Sequence, residues 1–196
     1  MKTHHVYISG TGRSGTTFLT YLLTMLGFDT GVSPANAHQY LDYVYKAGLE
    51  HPYDAKPYII KSPGLCTHIK EVIARDDIAI DFVIIPIREL KNAALSREHQ
   101  QKINNTSDPV AGGYWCASDL KSQESALAIN FYELVYNCQV NMIPYLFLEY
   151  PRFVLDPSYT FHQVISVLGN VDYEHFLRVF KRCSKPDLVH DYEAVV

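Results

Sequence analysis

HVYISGTGRSGTTFLTYLLTML, residues 5–26, is the stretch from which the rest of the chain is read. His5 to Ser9 reads as a short buried strand, and Phe18, Leu19, Leu22, Leu23 and Leu26 recur at helical spacing over Thr16 to Leu26. Strand, glycine turn and helix therefore open the chain. Between them, Gly10-Thr11-Gly12-Arg13-Ser14-Gly15-Thr16-Thr17 sets consecutive backbone N–H groups and a helix N-terminus around one concave spot, a geometry that favours an anion. Gly10, Gly15 and Thr17 satisfy three fixed positions of the phosphate-loop pattern G-x-x-x-x-G-K-[ST], but its lysine position holds Thr16.

Further along, Tyr58 to Lys61, Asp81 to Ile87 (DFVIIPI) and Tyr145 to Leu148 read as strands, the second apolar enough to be buried on both faces. Helices are expected over Leu65 to Arg75, Lys91 to Gln101, Ser122 to Asn141, around Tyr159 to Leu168 and over Tyr173 to Arg182. Alternating strands and helices imply a parallel sheet. The expectation is an α/β, three-layer, P-loop-like fold with a central parallel sheet of four to five strands flanked by helices, in a single domain over residues 1–196.

The missing loop lysine narrows the ligand. That lysine bridges the terminal phosphates of a nucleoside triphosphate, and the companion Mg2+ takes an acid at the end of a later strand. Here DFVIIPI ends in Arg88, a cation where a nucleotidase would hold its metal. A polyanion bound without metal fits better than Mg-ATP, and no metal site is expected: the histidines show no ligand spacing.

At this point the chain resembles the sulfotransferase family, whose 5'-phosphosulfate loop carries a basic residue followed by Ser-Gly-Thr-Thr, as GTGRSGTTFL does with Arg13. The resemblance implies that the loop from Thr11 and Gly12 through Arg13, Ser14, Gly15, Thr16 and Thr17 holds the 5'-phosphosulfate of 3'-phosphoadenosine 5'-phosphosulfate (PAPS), the family's sulfuryl donor. The family also places an Arg at a strand end and a Ser eight residues later on the 3'-phosphate, and PIRELKNAALSR supplies Arg88 and Ser96 at that spacing. An Arg grips phosphate through two N–H groups, and a Ser about two helical turns on donates from the same side. YIIKSP resembles the family's strand ending in a lysine, which puts Lys61 near the donor's leaving oxygen, and LEYPRFVLDP resembles its strand followed by an acidic-Pro turn.

The family's cytosolic members carry Lys-Thr-His on that strand, with the His as general base, whereas Pro63 stands at the third position here. His38, Asp42 and His68 are the candidates to replace it, with His38 assigned first alongside Arg13 and Lys61 as catalytic. Gly112-Gly113-Tyr114-Trp115 reads either as a lid whose rings stack on adenine or acceptor, or as a hydrophobic plug anchoring a loop.

The expected activity is sulfuryl transfer from PAPS to a hydroxyl or amine of a small-molecule or carbohydrate acceptor. The competing readings are a P-loop kinase-like phosphotransferase and a non-catalytic protein that binds PAPS or adenosine 3',5'-bisphosphate (PAP). A formal net charge of −4 argues against a nucleic-acid or membrane surface, so any anionic ligand must be met by local cations. Four cysteines at irregular spacing suggest neither a zinc site nor a disulfide framework. The N-terminal MKTHHVYISG lacks the features of a secretory signal, and no apolar run approaches the roughly 20 residues that cross a bilayer. A soluble cytoplasmic protein is the expectation, and nothing in the sequence specifies an oligomeric state.

Overall fold

Val6, Tyr7 and Ile8 alternate across one strand, and that alternation sorts the helices into two layers. A computed structural model of the chain describes residues 2–42, 47–104, 110–169 and 171–190. The order is β1 (Thr3–Ile8), α1 (Thr16–Met25), β2 (Leu41–Asp42), β3 (Ala47–Gly48), β4 (Ile59–Lys61), α2 (Leu65–Ile73), β5 (Ile78–Ile87), α3 (Leu90–Ile103), α4 (Leu120–Val140), β6 (Tyr145–Glu149), α5 (Arg152–Leu155), α6 (Pro157–Leu168) and α7 (Tyr173–Cys183). Tyr7 packs with Ile60, Val83 and Ile85 against Leu65, Ile69 and Val72 of α2 and Leu134 and Cys138 of α4. Val6 and Ile8 pack with Ile59, Ile84 and Leu148 against Leu19 and Leu23 of α1, Phe153 of α5 and Val164 of α6. The α7 residues Phe176, Val179 and Phe180 close over Leu22 of α1.

The sheet is parallel throughout, in the order β4-β1-β5-β6, and β2 with β3 makes a separate antiparallel pair. This is the expected three-layer α/β fold, with four strands. β5 starts earlier than DFVIIPI, at Ile78, because Ile78, Ala79 and Ile80 pair with Thr3, His4 and His5. It also outruns its neighbour: β1 ends at Ile8 opposite Ile84, while β5 continues to Ile87. This explains how a central strand tolerates Pro86. The Ile84 carbonyl accepts from the Ser9 N–H, so Pro86, two residues on, directs its missing N–H to the same side, where β1 has given way to a loop.

Strand order places the site. From β1 the chain crosses to β4 on one side, and from β5 it goes on to β6 on the other. The crevice between the C-terminal ends of β1 and β5 is thus the switch point at which open α/β sheets take ligands. The glycine loop leaves β1 there, and Arg88 leaves β5 beside it. Among the described residues no helix is long and apolar enough to cross a membrane.

The cysteines report on this packing. Cys66, Cys138 and Cys183 are buried, which pushes their thiols up to about 12, 11 and 11, whereas Cys116 is exposed. A thiol reagent at about pH 8 should therefore label one cysteine rapidly and the other three only on unfolding, since the thiolate is the reacting form. Cys116→Ser should remove the fast phase, and rapid labelling of a second thiol in the native protein would contradict the packing.

Candidate functional site

The backbone turns left-handed at Gly12 (φ 70°), Arg13 (54°) and Gly15 (80°). For Arg13 this costs roughly 1–2 kcal/mol, so the surroundings must hold it there. They do so through the loop's carbonyls: one arm of Arg97 donates to the Thr11 carbonyl at 2.7 Å, and one arm of Arg88 donates to the Arg13 carbonyl at 3.0 Å. Gly12 leaves room for this, since a Cβ there would lie 2.6 Å from the Arg97 guanidinium. Gly15 is likewise required, because a Cβ would meet the Phe153 ring at 2.7 Å.

Gly15 is also the N-cap of α1, with no capping side chain and no acid in the first turn. Helices α3, α4, α6 and α7 instead satisfy their first amides with Glu89, Asp119, Asp156 and Asp172. The first-turn amides of α1 are left without intrahelical acceptors and carry the positive end of the helix dipole. Beside them the Ser14 hydroxyl is fully buried without a hydrogen-bond partner.

The β5–α3 connection reaches the same place. Glu89 caps α3 and fixes its start, and α3 turns Ser96 and Arg97 inward. Arg13 Nε donates to Ser96 Oγ at 3.1 Å. Arg88 also donates to the His190 carbonyl, and its guanidinium lies 4.8 Å from the Tyr150 ring centre. Thr11 to Thr17, Arg88 and Ser96, far apart in sequence, are thus in direct contact.

Lys61, at the end of β4 beside Ile8, is 1% exposed, and its three donors are all used: Thr17 Oγ1 at 2.8 Å, the Gly48 carbonyl at 2.7 Å and Glu50 at 3.2 Å. Burial lowers its pKa below the ordinary 10.5, Glu50 opposes that shift, and Arg13 adds to it. The Glu50 carboxylate is half exposed, so the ion pair is worth at most about 1 kcal/mol. The ammonium is kept by its full set of acceptors and not by the pair alone.

These groups share a cavity of about 840 Å3. Arg13, Lys61, Arg88, Arg97, Arg182 and Lys185 line it, and Glu50 is the one carboxylate on its described wall. A chain with net charge −4 has therefore gathered cations at one point. Tyr21, Tyr53, Tyr114, Trp115 and Tyr150 supply aromatic wall. Trp115 packs against the α3–α4 cluster of Ala93, Ala94 and Leu127, as the plug reading expects, and it also lines the cavity.

The three candidate bases separate. His38 lies exposed on the 3-10 turn Ala37–Tyr40 and is not brought to the cavity wall, and the Asp42 side chain lies outside the described ones. His68 is on the wall, one turn into α2, stacked on Tyr53 with ring centres 5.4 Å apart. Its Nδ1 lies 2.9 Å from the Gly64 carbonyl, which can only accept. The Thr67 hydroxyl lies 2.9 Å from the same nitrogen and donates to the same carbonyl; in the tautomer whose Nδ1–H donates to Gly64, Nε2 carries the lone pair.

No family model matches the sequence, and no curated protein matches it. Solved structures do. The sulfotransferase domain of the Synechococcus PCC 7002 olefin synthase superposes with a TM-score of 0.52 over 97% of this chain and 84% of that one, at 14% identity. The chain has the fold of a sulfotransferase domain. Retinol dehydratase, solved with androsterone and the inactive cofactor PAP, aligns over 93% of this chain and 65% of its own length, at 14% identity and a TM-score of 0.48.

Lys61 gives the site a pH signature. Its folded pKa lies below the unfolded value, so burial of the ammonium opposes folding below the folded pKa, and the penalty is relieved as pH rises from there toward 10.5. In an NMR titration its side chain should lose its proton before the surface lysines. Glu50→Gln, which removes the opposing charge, should lower the midpoint further. A midpoint at or above 10.5, or a rise in Glu50→Gln, would contradict the arrangement.

Proposed function

We propose that this chain, acting as a single domain, is a sulfotransferase that takes the sulfuryl group of PAPS to a hydroxyl or amine on a small-molecule or carbohydrate acceptor. The observation that carries this reading is the meeting of two anion-gripping units at one switch point: the uncapped loop after β1 and the Arg88/Ser96 pair after β5, joined by the Arg13–Ser96 hydrogen bond. The donor set suits a polyanion. Ser14 offers a buried hydroxyl that lacks a partner, α1 offers first-turn amides with no capping side chain, and Arg88 puts a cation directly after β5, where a nucleotidase would hold its metal.

In this reading Thr11 to Thr17 hold the 5'-phosphosulfate, and Arg88 with Ser96 holds the 3'-phosphate. Once bound, PAPS supplies an electrophilic sulfur to the acceptor's oxygen or nitrogen and leaves as PAP. Arg13, Lys61 and the loop amides stabilise negative charge where it grows, and being already fixed they need no reorganisation to do so. His68 receives the acceptor's proton on Nε2, the role first given to His38, because it is the one of the two on the cavity wall.

Transfer from labelled PAPS to a panel of phenols, alcohols, amines and sugars tests these roles. Arg13→Ala should lower turnover about 100- to 1000-fold, the usual effect of losing one preorganised donor. Arg88→Ala should raise the dissociation constant for PAP, since it grips the 3'-phosphate, and should also lower turnover, since it holds the Arg13 carbonyl. His68→Gln should cut turnover roughly 100-fold or more and leave PAP affinity unchanged. Wild-type turnover in Arg13→Ala would overturn the mechanism, and PAP binding without transfer to any acceptor would favour a binding protein over an enzyme.

A further inference from the structure

Arg97 has no part in the donor-binding and catalytic roles proposed above, yet it is the most deeply placed arginine at the site. It is 6% exposed, no carboxylate among the described residues pairs with it, and its Nε is buried without a partner. Burial, with Arg13 adding, lowers its pKa to about 10. An uncompensated guanidinium costs several kcal/mol to bury, so a fold keeps one only where it does something a neutral side chain cannot.

What it does is visible in its two arms. One donates to the Thr11 carbonyl at 2.7 Å, inside the glycine loop, and the other to the Gly113 carbonyl at 2.8 Å, in the segment before α4 that also lines the cavity. The guanidinium lies 5.3 Å from the ring centre of Trp115. Trp115 is fixed in turn to α4, its backbone N–H donating to Gln123 Oε1 at 2.7 Å and its carbonyl accepting from Gln123 Nε2 at 3.1 Å. A loop that holds an anion with its amides must turn its carbonyls away, and a carbonyl turned inward would repel the ligand. The planar fork of arginine reaches two carbonyls at once, which a lysine ammonium on a single stem does not reproduce.

We propose that Arg97 is a positioning residue of the anion site: it holds the Thr11 carbonyl outward so that the loop presents N–H groups, and it ties the loop to the Gly113–Trp115 wall so that an anion in the loop is felt at Trp115. The inference rests on the reading that the loop binds an anion, and it does not require that the anion be PAPS.

Trp115 is the one tryptophan of the chain, so its emission is a site-specific signal. The experiment follows emission and calorimetric binding together, titrating the wild-type protein with pyrophosphate and with PAP. Pyrophosphate has no base to stack on the indole, so an emission change with it reports the loop. The expected result is a saturable change with either anion. In Arg97→Lys and Arg97→Met, studied well below their melting temperatures, the dissociation constants should rise about 10-fold or more, as expected for losing a charged hydrogen bond, and the Trp115 response should vanish.

Unchanged affinity in either folded variant, or calorimetric binding to the wild type without an emission change, would overturn the proposal. The second outcome needs no variant to fold. If neither anion binds the wild type, the proposal also falls. If pyrophosphate binds and moves Trp115 while PAP does not bind, the sulfotransferase reading fails and the role of Arg97 stands.

Discussion

A backbone amide can serve an anion only if the carbonyl beside it is committed elsewhere. In this molecule two guanidiniums meet that requirement, Arg97 at Thr11 and Arg88 at Arg13, and the left-handed turn at Arg13 exists on their terms. Arg88 directly follows β5 and Arg97 stands on α3, so the loop after β1 has its shape only when β5 lies beside β1 and carries α3 to it. Pro86 belongs to the same constraint, since it sits where β5 has no strand to bond.

Cations are costly to collect, and the fold limits the cost by giving those around the loop polar partners. Lys61 spends all three donors on Thr17, Gly48 and Glu50, and Arg13 reaches Ser96. The site therefore holds positive potential at a switch-point crevice of a protein whose overall charge is negative. Local arrangement, not net charge, decides which ligand is welcome.

Much of this was legible in residues 5–26, because a buried strand, a glycine turn and a leucine-spaced helix are local features that sequence periodicity records. Arg88 and Ser96 were singled out by their resemblance to the family's Arg/Ser spacing, and the structure brings both into contact with Arg13. Arg97 was not, although it follows Ser96 directly: its partners at Thr11 and Gly113 are contacts between distant segments. A signal was present in α3, where Ser96, Arg97, Gln100 and Gln101 share the buried face with Ala93 and Ala94, polar residues on a side that packs inward. The proposed base shows the same limit. His38 and His68 look alike as letters, and only the placement of α2 beside the end of β4 brings His68 and not His38 to the cavity. Glu50 and the pair Arg182 and Lys185 likewise join the wall by tertiary packing alone.

The central claim is that the β1 loop and the Arg88/Ser96 pair form one site for a nucleotide phosphorylated at both the 3' and 5' positions. Its most direct test is thermal unfolding with PAP, compared with ATP plus Mg2+ and with adenosine 5'-monophosphate, which lacks the 3'-phosphate. At a hundred times its dissociation constant PAP should add about 2.7 kcal/mol and raise the midpoint by roughly 5 to 10 °C, with little shift from the other two. A shift with Mg-ATP and none with PAP would contradict the account.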